Sequence, residues 1–415
     1  MKQVIITIFA TLVLSACQTN ETSHQNSIRI PGEFEPHEAI WLGYRTLEGY
    51  GNYDKDSITL TIIKAIHPHV KLNLIVEHDS LAPNAKDSLL AKGIDTTNIS
   101  LVYQSPTDVW YRDPGPVFAV SESNELKVID FKYTNYANVL PDSISERARA
   151  HEKIDREIAQ RLKLDTINSI VAIEGGAFET DGQGTVIQVE NVTLKRNPHL
   201  TKEDIETDYK KCCGIENVIW LPSGIAEDPL NFERITGNYL GYGTGGHTDE
   251  FVRFANATTI LLAWVDEAEK DLNPVNQLNY EILSENYNIL SKSTNVIGEP
   301  YTIIKIPHSS PQIEVQVVNE QWSQKAKNYF NLAEGDIVNM VHASSYLNYL
   351  LTNKVIILPQ YGDGMGKVNK KDAAVRAIFK ELYPNKKIIG INPISLNRQG
   401  GGMHCRYQTQ PKIHK

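Results

Sequence analysis

Cysteine is scarce in this 415-residue chain, which has four, and two of those, Cys212 and Cys213, are neighbours. A disulfide framework needs more, and adjacent cysteines are badly placed to bridge each other. Neither a CxxC nor an HExxH spacing occurs, so no metal site and no cofactor is expected. Positive charge is in deficit as well: 41 lysines and arginines face 50 aspartates and glutamates, for a formal net charge of −9. That balance lacks the basic stripe that phosphate neutralisation requires. It argues against nucleic acid as a partner and favours cationic small molecules or cationic side chains. The apolar run nearest the N-terminus, Val4 to Leu14, has eleven residues and is too short to span a bilayer.

That run follows one early lysine and leads through small residues to Cys17, the build of a secretory signal peptide. The stretch LSAC resembles a lipobox, the bacterial signal in which cleavage leaves the cysteine as a lipidated N-terminus. The expected layout is a signal over residues 1–16, a lipidated Cys17, and a polar tether over 17–27. This implies an exported protein anchored to a membrane, at the outer membrane or cell surface. The alternative is an ordinary cleaved signal in which Cys17 is incidental.

Past the tether, short β-like runs such as KLNLIVEH, TVIQVEN, TILLAWV and KVIILPQY alternate with helical stretches, among them 145–164 and 370–383. The chain is α/β. No Ser/Pro/Gly linker or shift in composition divides it, so residues 28–415 are expected to form a single catalytic domain.

Four stretches carry chemistry. In WYRDPGP, Asp113 precedes a Pro-Gly-Pro turn that fixes the backbone; a solvated ion pair with Arg112 would look the same. In IEGG, Glu174 ends an apolar strand, where a carboxylate is costly unless paired; an exposed hairpin residue is the plainer alternative. In GGHTDEF, extended backbone would place His247 and Asp249 on one face and Glu250 on the other. In QGGGMHC, three glycines let the backbone approach a ligand, and Cys405 follows. A thiol needs help to ionise, and His247 is a better partner for it than the adjacent His404 if neighbouring residues face opposite ways.

One cysteine, one histidine and three carboxylates exceed what cysteine proteolysis requires, but suit a planar guanidinium cation, whose N–H fork carboxylates accept and whose charge favours a thiolate. With these motifs in hand, the sequence resembles the agmatine deiminase and bacterial peptidylarginine deiminase family of the guanidine-modifying superfamily. The resemblance runs from PGEFEPHEAIW through WYRDPGP, IEGG, GGHTDEF and ASSYLNYLLTNKVIILPQYGD to GGGMHC and QTQP.

The resemblance implies a pentein fold, a five-bladed α/β propeller of pseudo-repeated strand-helix units. It also implies hydrolysis without metal through a covalent thiouronium. Carried over by motif, Cys405 attacks the guanidinium carbon, His247 protonates the departing ammonia and then activates water, Asp113 and Asp249 hold the guanidinium, and Glu174 orients His247. Trp110, Tyr136, Arg253 and Arg406 are further candidates for substrate contact, Arg406 because it could meet a substrate carboxylate. The chain departs from the agmatine deiminase pattern at Gly245, usually acidic, and at Met403, where two residues are usual. Agmatine is the favoured substrate, with free arginine or peptidylarginine as the alternative. An amidinotransferase and a non-catalytic guanidinium-binding lipoprotein are the readings from other classes.

Overall fold

The structure, a computed structural model, describes residues 28–44, 55–76, 82–104, 109–136, 150–362 and 368–413. The expected signal, the lipidated Cys17 and the tether lie outside the described residues.

Among the described residues the strands form six sheets, and five of them repeat one pattern: a first strand antiparallel to a second, and the second parallel to a third. These triplets are Val117–Ser121, Leu126–Lys132 and Thr166–Ala172; Phe178–Thr180, Thr185–Val189 and Asn217–Leu221; Val252–Asn256, Thr259–Trp264 and Thr302–Pro307; and Leu350–Leu351, Val355–Pro359 and Lys387–Ile391. The fifth joins the far ends of the chain, with Tyr407–Pro411 antiparallel to His37–Gly43, which is parallel to Lys71–Val76.

Parallel neighbours cannot be linked by a tight turn, and each triplet makes the crossover with helix. Lys55–Ile66, Ile154–Leu162, Lys202–Cys213, Pro274–Leu290 and Lys370–Leu382 each fall between a second and a third strand. Their ends are locally encoded. Thr201 and Asn369 close capping boxes with Asp204 and Asp372, Asn273 caps a helix that has proline in its first turn, and Gly214 ends Lys202–Cys213 in the left-handed conformation. Thr185–Val189 and Val355–Pro359 are buried along their whole length, as expected of strands covered on both faces.

The sixth sheet, ordered Leu230–Thr236, Tyr239–Thr244, Ile337–His342 and Gln312–Val317, is built from two insertions and packs on Gln324–Phe330 through Phe232, Leu240, Val338 and Phe330. It borders the glycine loop: a Cβ on Gly400 would lie 2.3 Å from the ring of Tyr242.

Candidate active site

Each repeated triplet is entered through a loop, and the chemistry sits on those loops. Asp113 precedes Val117–Ser121, Glu174 and Gly176 precede Phe178–Thr180, and His247 and Asp249 precede Val252–Asn256. Asn348 precedes Leu350–Leu351, and His404 and Cys405 precede Tyr407–Pro411. Equivalent positions in a repeated topology converge, and side chains as far apart in sequence as Asp113 and Cys405 become neighbours.

His247 is almost fully buried between two carboxylates, with Nδ1 3.8 Å from Asp113 and Nε2 3.4 Å from Glu174. Burial opposes the imidazolium, yet Asp113 and Glu174 outweigh it and raise His247 to about 9. Glu174 remains ionised despite burial because Arg196 donates Nε to both its oxygens at 3.1 and 3.0 Å, and it is held down at about 2. Burial pushes Asp113 up to about 6, against the attraction of His247 and a 2.6 Å hydrogen bond from the Tyr136 hydroxyl. Asp228 fixes the turn that delivers His247: its Oδ2 accepts from the backbone N–H groups of Gly246 and His247 at 3.0 and 2.9 Å.

The thiol of Cys405 lies 3.7 Å from Oδ2 of Asp249, and the Nδ2 of Asn348 is 3.5 Å from the sulfur. Burial, then Asp249, Glu250 and Asp113, push the thiol well above its ordinary range. Asp249 is held below the usual carboxylate range: burial works against this, but His404 places Nδ1 2.6 Å from Oδ2 and prevails. The other ring nitrogen of His404 is 2.8 Å from Glu33, which also pairs with Arg112 at 2.9 Å and Arg253 at 3.0 Å. Arg253 in turn pairs with Glu179. A layer of alternating charges thus supports Asp249 from below.

These groups converge on the backbone of Gly176. A Cβ on Gly176 would stand 2.8 Å from Nδ1 of His247 and 3.1 Å from both Asp113 Oδ1 and Asp249 Oδ2. Two carboxylates and a proton donor thus face one another beside a sulfur, the set of groups that a small planar cation would meet. Tyr136, which anchors Asp113, holds a left-handed φ of 61°, unusual for a bulky residue and the kind of strain that concentrates at functional sites. Two trios could in principle ligate a metal ion, Asp249, Glu250 and Cys405, or Glu33, Glu179 and His404. In the second trio Glu33 and Glu179 are already matched by Arg112 and Arg253.

The structure therefore brings together Cys405, His247, Asp113, Asp249 and Glu174. Trp110 packs against the glycine loop, where a Cβ on Gly401 would meet its ring at 2.8 Å. Arg406 is buried, and its guanidinium donates to the carbonyl of Gly43. Arg253 serves the ionic layer and stacks on Tyr349, 4.6 Å from the ring centre. Cys212 and Cys213 are free thiols in the main core.

Two local expectations are corrected. Thr248–Glu250 forms a single 3-10 turn, not extended backbone, so Glu250 also faces inward and lies beside Asp249 and Cys405. His404–Arg406 is likewise a 3-10 turn, and this lets His404 and Cys405 both reach Asp249. Asn348, Asp228, Arg196 and Glu33 join the site without a chemical motif of their own in the sequence. The one available signal was a polar residue in an otherwise apolar run, as Asn348 is within SYLNYLL.

A model of the family described as Porphyromonas-type peptidyl-arginine deiminase matches residues 29–411. The agmatine deiminase of Pseudomonas syringae pv. syringae is 26% identical over 410 residues, spanning 95% of this chain and 99% of that protein. Among solved structures, the agmatine deiminase of Enterococcus faecalis aligns with a TM-score of 0.71 at 26% identity, over 93% of this chain and 96% of that one. An agmatine deiminase of C. jejuni, at 21% identity and a TM-score of 0.66 over 94% and 97% of the two chains, shares the fold.

Proposed function

The chain belongs to the family of Porphyromonas-type peptidyl-arginine deiminases, and from that premise we propose that it hydrolyses a guanidinium group through Cys405, with agmatine as substrate, giving N-carbamoylputrescine and ammonia. The observation that carries this reading is the convergence of His247, Asp113 and Asp249 at Gly176, with the Cys405 sulfur 3.7 Å from Asp249.

The guanidinium sits among these groups, its N–H groups donating to Asp113 and Asp249. Its charge offsets the carboxylates that oppose ionisation of Cys405, so the thiol releases its proton to solvent as the substrate binds and the thiolate forms there. The sulfur adds to the guanidinium carbon. His247, as imidazolium, gives its proton to the departing nitrogen; the C–N bond breaks, ammonia leaves, and a thiouronium remains on Cys405. Neutral His247 then takes a proton from water as the oxygen adds to the same carbon. The C–S bond breaks with its electron pair on the sulfur, the hydroxyl gives its remaining proton to the leaving thiolate, and the ureido product is released with Cys405 restored as a thiol. Glu174 and Arg196 keep His247 oriented throughout.

Two considerations favour agmatine over arginine. The Pseudomonas syringae relative and the Enterococcus faecalis structure, both 26% identical and aligned over nearly their whole length, are named for agmatine. In addition, among the described residues near the site, Arg112, Arg196 and Arg253 are committed to Glu33, Glu174 and Glu179, and Arg406 is buried toward Gly43, which suits a substrate without a carboxylate. The five triplets, each with its crossover helix, are consistent with five blades of one propeller-shaped catalytic domain. We also propose a lipid anchor at Cys17.

The test is ammonia release from agmatine, free arginine and a blocked arginine peptide, using a soluble chain that starts after Cys17, with Cys405→Ala as control. Release from agmatine that Cys405→Ala abolishes is expected. Release only from the peptide moves the substrate to arginine side chains, and no release from any of the three overturns the hydrolase reading.

A further inference from the structure

Glu250 faces the Cys405 sulfur, yet hydrolysis of a guanidinium gives it nothing to do. One ligand atom from each of Asp249, Glu250 and Cys405 lies within 4.8 Å of the others. Each carboxylate has one oxygen engaged and one free. Oδ2 of Asp249 meets His404 and Oε1 of Glu250 accepts from Asn348, whereas Oδ1 and Oε2 are buried with no hydrogen-bond partner among the described residues. Both side chains are almost fully buried, and among the described residues no lysine or arginine forms an ion pair with either.

We propose that Asp249, Glu250 and Cys405 form a binding site for a thiophilic divalent cation such as Zn2+, and that the bound ion shuts the guanidinium out. The spacing fits. Around a tetrahedral zinc ion, with Zn–S near 2.3 Å and Zn–O near 2.1 Å, neighbouring sulfur and oxygen ligands stand about 3.6 Å apart. The Cys405 sulfur is 3.7 Å from Oδ2 of Asp249. The donor set fits as well, since a thiolate selects Zn2+ or Cd2+ over Mg2+ and Ca2+. His404 behind Asp249 and Asn348 behind Glu250 supply the outer hydrogen bonds that orient metal-ligating carboxylates.

Electrostatics favour the ion. Burial and the neighbouring acids push the Cys405 thiol and the Glu250 carboxyl upward, which keeps both protonated while no cation is near. A doubly charged ion supplies the charge that three buried acids lack. On binding, the S–H and carboxyl protons pass to water, the sulfur and the two carboxylates each give an electron pair to the metal, and a water fills the fourth position. Nothing is oxidised or reduced. The trio of Glu33, Glu179 and His404 differs, because it has no sulfur and its carboxylates already meet Arg112 and Arg253. Exclusion of the guanidinium rests on the deiminase reading, which gives Asp249 and Cys405 to the substrate; one cation displaces the other.

The test follows Cd2+, a spectroscopic substitute for Zn2+, as it binds the metal-free full chain, by equilibrium dialysis and by the ultraviolet sulfur-to-cadmium charge-transfer band. Cys212 and Cys213 are thiols too, so the signal that counts is the part that depends on Cys405. A single Cys405-dependent equivalent is expected in the wild type, and Cys405→Ala should lose it. Glu250→Gln should keep the band but weaken binding by at least the tenfold to hundredfold lost when only an outer partner of a metal ligand is changed. Should either variant not fold by circular dichroism, Cys405→Ser and Glu250→Asp replace them, with loss of the band and weaker binding expected again. A wild type without the band, a band that survives in the folded Cys405 variant, or wild-type affinity in the folded Glu250 variant overturns the site. On whichever guanidine substrate is turned over, Zn2+ should raise KM and leave kcat unchanged, and a fall in kcat alone overturns the exclusion. Dialysis and absorbance need no substrate, so failure of the metal site and failure of the deiminase reading are seen separately.

Discussion

Gly176 and His247 are so close that a single methyl group would join them: a Cβ on the glycine falls 2.8 Å from Nδ1 of the imidazole. The backbone at Gly176 does not need a positive φ, so alanine brings no conformational strain. What it brings is a carbon within 3.1 Å of Asp113 and Asp249 and closer still to His247, so these groups must move from the positions proposed to receive the guanidinium. Gly176→Ala is therefore expected to fold with an unchanged circular dichroism spectrum while losing about a hundredfold or more in kcat/KM, the scale of loss when a reacting group is displaced by about an ångström. Near-wild-type turnover in this variant would place the substrate elsewhere.

The pH dependence follows from two groups whose burial and neighbours move them in useful directions. Asp113, pushed up to about 6, must be ionised to receive a cation, so kcat/KM falls as pH drops through about 6. His247, raised to about 9 by Asp113 and Glu174 against its burial, must carry a proton to release ammonia, so kcat/KM falls as pH rises through about 9. A bell with limbs near those values is expected for the free enzyme. A rate that continues to climb beyond pH 10 would mean that neutral His247 suffices, and the leaving nitrogen would then need another acid.

The residues that perform bond chemistry are legible in the sequence because they stand beside glycine or proline turns, where a charged or nucleophilic side chain has no plain structural purpose. Asp113 before Pro-Gly-Pro, Glu174 before two glycines, His247 after two and Cys405 shortly after three all carry that signature. The residues that support them do not. Asn348 acquires its meaning only when a fold brings it to Cys405, 57 positions away, and Glu33 only when it meets His404 from 371 positions away. A similar limit applies to the fold. Buried strands such as Val355–Pro359 read as apolar runs, but the five triplets share a connectivity and no sequence, and Gln312–Val317 alternates burial in a sheet that no continuous apolar run betrays. Glu250 and His404 face inward for one reason: each lies in a 3-10 turn, where the period-two alternation of extended backbone does not hold.

The proposed anchor at Cys17 gains a geometric consequence from the first described strand. Ile28–Arg29 pairs antiparallel with Val117–Ser121, Ile28 opposite Ser121. Asp113 enters that strand at the Val117 end, and Ser121 lies about 13 Å further on at ~3.3 Å per residue. Ile28, where the described chain begins, therefore lies at the end of the strand away from Asp113. Cys17→Ser in the full chain is expected to move the protein from the membrane pellet to the soluble fraction, with kcat and KM on a small substrate within about twofold of the wild type. Membrane retention in that variant would rule out the lipid, and a large change in KM would mean that the tether reaches the site after all.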